Sequence, residues 1–171
     1  MAVSGPLVGI VLGSDSDLEV ITETVKVLTD LDIDHEVVVA SAHRTPDKAR
    51  QYATEAEGRG LRVLVAAAGG AAALPGFLAS LSSLPVIGVP IASTPLGGID
   101  ALLSMAQMPK GVPVAVVAIG KWGAGNAAIL AAQIIAQVDA GVRKRLAEHR
   151  KRLAAEVEEQ ARRVTEKLAK L

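Results

Sequence analysis

The chain has 171 residues, half of them apolar, and its 18 lysines and arginines balance its 18 aspartates and glutamates. With no net charge, no long-range field draws it to nucleic acid or to an anionic membrane surface, so an anionic ligand has to be held locally. The absence of cysteine excludes disulfides, thiolate nucleophiles and cysteine-ligated zinc, and one Trp, one Tyr and one Phe leave little for stacking on bases.

A chain of this length buries roughly two-thirds of the surface that its unfolded form exposes, so a sizeable core is expected. The first residues carry no basic stretch ahead of the apolar run, which predicts no signal peptide and a cytoplasmic protein. Residues 7–12 are that run, β-branched and short, of the kind buried on both faces of a parallel sheet. Gly13, Ser14, Asp15, Ser16 and Asp17 follow. They are expected to cap a helix in which Leu18, Val20, Ile21, Val25, Val27 and Leu28 recur at broadly helical spacing.

Residues 35–40 predict a second strand, and Pro46, after the turn that ends it, suits the first position of a helix over 47–57. Residues 62–68 predict a third strand opening into a Gly/Ala-rich loop over 69–76 and a weak helix near 77–81. A fourth strand over 85–91 leads through a loop over 93–98 to a helix from Asp100. A fifth strand over 113–119 precedes Gly120, Gly123 and Gly125 and a helix over 126–138. The tail, 141–171, is dense in Ala, Glu, Lys, Leu and Arg. Leu146, Leu153, Val157, Val164, Leu168 and Leu171 make one apolar stripe along it, so it reads as a helix in need of a partner surface.

Strands alternating with helices predict an α/β protein, a three-layer αβα flavodoxin-like fold. Its five-stranded parallel sheet has order 2-1-3-4-5, and a long C-terminal helix follows. The expected division is a flavodoxin-like unit over 1–138 and a helical extension over 139–171 that packs on the same or a neighbouring subunit. No residue between Arg62 and Asp100 is charged, and between Lys110 and Asp139 only Lys121 is. Gly69, Gly70 and four prolines interrupt the first stretch before about 18 apolar residues accumulate, which excludes a membrane span. Burial on all sides, part of it against other copies, is the expectation.

In sheets of this topology ligands bind beyond the carboxyl ends of the strands where strand order reverses, here between strands one and three. Ser41, Ala42, His43, Arg44, Thr45 and Pro46 lie at such an end. A histidine gives and takes a proton near neutrality, an arginine forks onto phosphate or carboxylate, and hydroxyls add donors, so this turn is the first place to look for chemistry. Gly13 to Asp17 offers hydroxyls and free N–H groups for a phosphate or a ribose, with plain helix capping as the alternative. It is neither a Walker A loop nor a G-x-G-x-x-G fingerprint, and two carboxylates alone make a weak magnesium site. Gly69 to Gly76 lets backbone approach a ligand or a packed neighbour. Around Gly120, Lys121 reads as an anion partner and Trp122 as a packing residue. His35 and His149 are expected to face solvent.

Together, Gly13 to Asp17, Ser41 to Pro46, Ala68-Gly69-Gly70-Ala71-Ala72, Gln107-Met108-Pro109 with Gly111 to Val114, and Ala118-Ile119-Gly120 with Asn126-Ala127-Ala128 resemble the PurE family over about residues 7 to 138. Length and glycine pattern resemble its class I branch, the N5-carboxyaminoimidazole ribonucleotide mutases of purine biosynthesis. The resemblance implies a homo-octamer acting on a small ribonucleotide, with no cofactor, no metal, no nucleic acid and no membrane partner. It implies His43 as the catalytic acid and base. Ser14, Asp17, Ser41, Arg44, Gly70, Ala71 and Ala72 are implied as substrate-binding residues. The family's G-G-A-A-H-L-P-G loop carries Ala73 here in place of its histidine, and Gly97 and Trp122 also depart from the pattern. Two alternatives stay open: direct carboxylation of aminoimidazole ribonucleotide by CO2, and a non-catalytic, diverged or engineered PurE-like oligomeric scaffold. A flavin-binding protein is the reading by fold analogy alone.

Overall fold

A computed structural model describes residues 5–169; residues 1–4 and the last two, Leu171 of the stripe among them, lie outside it. Five parallel strands, β1 (Val8–Leu12), β2 (His35–Val39), β3 (Val63–Gly69), β4 (Val86–Ile91) and β5 (Ala115–Val116), form one sheet in the order β2-β1-β3-β4-β5. β1 lies between β2 and β3, with Val8 level with His35 on one side and Val63 on the other. Residues of β1 and β4 are buried throughout, as continuous apolar runs in a doubly covered sheet require.

The helices are α1 (Leu18–Asp30), α2 (Pro46–Glu55), α3 (Ala73–Ala79), α4 (Ile99–Ala106), α5 (Lys121–Ile135) and α6 (Ala140–Leu168), with a 3-10 turn at Asp15–Asp17 ahead of α1. One core joins the sheet to α1, α5 and the root of α6 through Ile21, Leu28, Ala128, Ile135, Val142 and Leu146. The other joins it to α2, α3 and α4 through Ala53, Leu78, Ala101 and Met105. This is the three-layer arrangement expected. The alanines of α5 let α1 approach closely, and the buried Thr24 hydroxyl of α1 donates to the Ala124 carbonyl of α5 at 2.8 Å.

Three boundaries move from the sequence reading. α3 starts at Ala73 instead of near 77, because the chain enters it through Gly70 (φ +61) and Ala72 (φ +43); Pro75 is tolerated in a first turn whose N–H groups have no helical partner. α5 starts at Lys121, five residues ahead of Asn126, after Gly120 takes a positive φ of 75. A Cβ on Gly123 would strike the Ala118 carbonyl, so this glycine serves helix packing and not the strand-to-helix turn. β5 pairs over two residues, since Pro113 has no N–H to offer and the strand lies at the sheet edge.

At the opposite edge, Glu36 of β2 accepts from the Tyr52 hydroxyl of α2 at 2.7 Å and from the Arg59 guanidinium at 2.6 Å, while Arg59 lies 5.4 Å from the Tyr52 ring centroid. Gly9 of β1 leaves the room in which the Tyr52 hydroxyl sits. α6 is fastened at its root. Arg143 donates to the Ala136 carbonyl that closes α5, and Arg145 donates to the Leu31 and Asp32 carbonyls that close α1. Both arginines meet the negative end of a helix.

Candidate active site

The carboxyl ends of β1, β2 and β3 and the loop after β4 enclose a cavity of about 300 Å³. It lies at the reversal of strand order, with β1 and β3 side by side and β2 and β4 running outward from them.

The β1 side is built by a reciprocal cap. The Ser16 N–H donates to the Ser14 hydroxyl at 3.4 Å, and the Ser14 N–H donates to the Asp17 carboxylate at 3.2 Å. Asp17 is only 5% exposed. Burial pushes its carboxyl above the ordinary value, against the pull of the Ser14 N–H, the Ser16 hydroxyl and the Arg44 charge. The functional and capping readings of this segment therefore coincide in one geometry.

The β2 side is a turn that folds on its own hydroxyls. Ser41 N–H donates to Thr45 Oγ1 at 2.9 Å, Thr45 Oγ1 donates to the Ser41 carbonyl at 3.3 Å, and Arg44 N–H donates to Ser41 Oγ at 3.2 Å. Thr45 is thereby spent on the turn, whereas the Ser41 hydroxyl keeps its proton for a ligand. Arg44 crosses to the β1 side and donates to the Gly13 carbonyl at 2.7 Å, which pins the guanidinium over the cavity with donors to spare. The His43 imidazole is exposed and makes no hydrogen bond to any described residue. Arg44, Ser14, Ser41 and Gly13 also border a second hollow of about 390 Å³, closed by Asp15, Val39, Thr45 and Lys48.

The β3 side contributes Ala68, Gly69, Ala72, Ala73 and Leu74. A Gly69-to-Ala72 turn, closed by the Ala72 N–H on the Gly69 carbonyl at 3.1 Å, turns the chain under the cavity. Gly69 has no side chain because Ser93, from the loop after β4, occupies that place.

The structure thus brings His43, Ser14, Asp17, Ser41, Arg44 and Ala72 to one cavity. Gly70 and Ala71 do not border it; they form the bend that delivers Ala72. Ser16, Ser93 and Ala73 line it as well. Ser93 had a usable signal, being a hydroxyl two residues past the end of a strand. Lys121 lies elsewhere, paired with Glu19 at 2.8 Å, and Trp122 is 86% exposed instead of packed. His35, expected in solvent, is half-buried with Nδ1 2.8 Å from the Ile33 carbonyl. Among the described residues no three acidic or imidazole side chains converge as a metal site, and no helix is long and apolar enough to cross a membrane.

A doubly wound sheet holding one free imidazole beside a pinned guanidinium and a buried carboxylate defines an enzyme-type site for a small anionic molecule. The chain belongs to the AIR carboxylase family, whose pattern matches residues 7–156. It is 50% identical over 161 residues to an N5-carboxyaminoimidazole ribonucleotide mutase of Pyrococcus horikoshii, covering 94% of this chain and 90% of that one. With the mutase of that name from Bacillus subtilis it shares 52% over 145 residues, covering 85% and 90%. The crystal structure of Treponema denticola PurE superposes with a TM-score of 0.82 at 28% identity, over 90% of this chain and 95% of that one.

Proposed function

We propose that this chain is an N5-carboxyaminoimidazole ribonucleotide mutase, an isomerase of purine biosynthesis that moves a carboxylate from the exocyclic nitrogen to C4 of the imidazole. The observation that carries the reading is the unpaired His43 imidazole facing one cavity with Asp17 and Arg44, in a chain about half identical to proteins of that name.

His43 starts protonated and gives its proton to the exocyclic nitrogen as the N–C bond breaks and CO2 leaves. C4 then attacks the CO2, and His43 takes the C4 proton as the ring recovers its aromaticity. The proton balance closes within one cycle, so one residue serves as acid and base. An imidazole with no partner in its own chain suits both halves. Arg44 and the Ser41 hydroxyl are suited to the phosphate. Asp17 and Ser14 are suited to the ribose hydroxyls. The small walls at Gly69 and Ala72, shaped by Gly70 and Ala71 behind them, leave a confined space for CO2, where exclusion of water guards the intermediate.

Assembly as a cytoplasmic homo-octamer belongs to this reading. It is supported by the uncharged stretch between Arg62 and Asp100 and by the exposed apolar residues of α4. So does the division into a catalytic unit over 1–138 and an extension over 139–171. A second reading, direct carboxylation of aminoimidazole ribonucleotide, rests on Ala73, which leaves the cavity without a second imidazole.

The test follows the ultraviolet absorbance of purified protein mixed with N5-carboxyaminoimidazole ribonucleotide. The expected result is C4-carboxylated product above the spontaneous rate, falling about 10²–10⁴-fold in His43→Asn. No conversion by folded protein, with turnover of aminoimidazole ribonucleotide and bicarbonate instead, would install the second reading. Inactivity in both assays would leave the scaffold.

A further inference from the structure

Beyond its root, α6 leaves the body of the molecule. From Lys151 to Ala169 every residue but Glu159 is exposed, and at 1.5 Å per residue this arm reaches about 27 Å. At 100° per residue, Leu153, Val157, Ala161, Val164 and Leu168 fall within about 80° of arc, so the arm carries one continuous apolar stripe. Their steps of 4, 4, 3 and 4 residues follow an 11-residue repeat, which keeps the stripe nearly straight along the helix. Nothing in the same chain covers it among the described residues.

The stripe is symmetric. About a midpoint between Gln160 and Ala161, Leu153 mirrors Leu168 and Val157 mirrors Val164. The edge beside it carries Glu156, Gln160, Arg163 and Lys167, acidic at one end and basic at the other. In two antiparallel helices related by a two-fold axis, each edge faces the same edge of the other copy. We infer that the α6 arm pairs antiparallel with the α6 arm of a second copy, across a two-fold axis passing near Gln160 and Ala161. Leu153 then meets Leu168 of the second copy, Val157 meets its Val164, and Glu156 meets its Lys167.

Charge decides the direction. A parallel pair would set Glu156 beside Glu158 of the other copy and leave Arg163 and Lys167 facing Ala161 and Thr165. Among the described residues Glu156 and Lys167 have no ion-pair partner in their own chain, so both are available across the axis. The opposite edge carries Ala154, Ala161 and Thr165, small enough to let the helices close, with Glu158 at its outer margin. The apolar face of α4, another exposed surface among the described residues, offers no charge to either end of the arm except Asp100. This inference does not depend on the catalytic reading.

The chain has no cysteine, so introduced ones report without background. Full-length Val157→Cys, Val164→Cys and the double variant are oxidised mildly at micromolar concentration and run on a non-reducing gel. The two positions lie seven residues apart on one helix, too far for an internal disulfide. The double variant is expected to shift from 17.6 kDa to a covalent dimer, with both single variants remaining uncrosslinked. Single variants that crosslink as fast as the double would mean a parallel pair, and a double variant that stays monomeric would mean that another surface covers the stripe. Either result overturns the inference. In the double-cysteine background, Glu156→Lys should slow crosslinking several-fold and Lys167→Glu added to it should restore the rate; equal rates in all three would remove the proposed register. Both cysteine positions are exposed, and circular dichroism checks that each variant is folded.

Discussion

Asp17 holds a carboxylate where burial opposes its charge, and that conflict is measurable. Its folded-state titration lies above the ordinary value of 3.8, so between the two values the folded chain binds more protons than the unfolded one, and stability falls as the pH rises through that window. Asp17→Asn keeps an oxygen to accept from the Ser14 N–H and removes the charge. At pH 7 the variant should therefore unfold at the same or higher denaturant concentration than the parent, by up to about 1 kcal/mol. The difference should vanish at pH 3, where both states of the parent are protonated. Its affinity for the ribonucleotide should fall by about tenfold or more, read by calorimetry. A variant that lost stability at pH 7 and kept its affinity would mean that the carboxylate is there for the fold alone. The sequence made most of this site legible because strand-end position and residue chemistry agree at Ser14, Asp17, Ser41, His43 and Arg44. Gly70 and Ala71 were harder, because a glycine-rich turn does not disclose which of its peptide units faces the cavity. Ser93 carried the strand-end signal alone, without a charged or titratable group beside it, and what sets it at the cavity is the room left by Gly69, the last residue of β3, a contact between residues distant in sequence.

Elements were legible where an apolar period ran uninterrupted, and their ends were not where backbone conformation set them. The left-handed Ala72 and the positive φ of Gly120 started α3 and α5 earlier than the residue pattern indicated. The sequence also gave no warning that β2, an edge strand, is clasped to α2 by a polar cluster. Burial works against the Glu36 charge, but hydrogen bonds from Arg59 and Tyr52, with the Arg59 charge, outweigh it and hold the carboxyl below its ordinary 4.5. The unfolded chain then binds more protons between the two values. The clasp's contribution is therefore complete above about pH 4.5 and is lost as the pH falls through the folded value. Glu36→Gln should cost about 1–2 kcal/mol at pH 7, discounted for the partial exposure of Arg59. Denaturation midpoints of variant and parent should converge in acid below the folded-state titration. A deficit that persisted there would assign the loss to packing around Tyr52.

At the scale of the molecule, the unusual feature is apolar surface without charge to discourage contact. Leu96, in the turn ahead of α4, is 64% exposed, and Ile99 and Leu103, one helical turn apart on α4, are each 52% exposed, within or beside a stretch that holds no charged residue before Asp100. Such a patch on a small domain marks an interface, and the homo-octamer proposed above would bury it. Leu103→Glu tests the point with little risk to the fold, since a residue half in solvent costs within about 0.5 kcal/mol when replaced. Each glutamate would be forced into an apolar contact, once per copy. The variant should therefore run by light scattering as a smaller species at concentrations where the parent remains assembled, with an unchanged far-ultraviolet spectrum. The loop that leads into α4 carries Ser93, which stands against Gly69 at the cavity. If assembly holds α4 in place, the disassembled variant should lose substrate affinity before it loses turnover, seen as a rise in KM larger than the fall in kcat. A variant that kept the parent's mass would show that α4 faces solvent in the working enzyme and that the uncharged stretch serves the core alone.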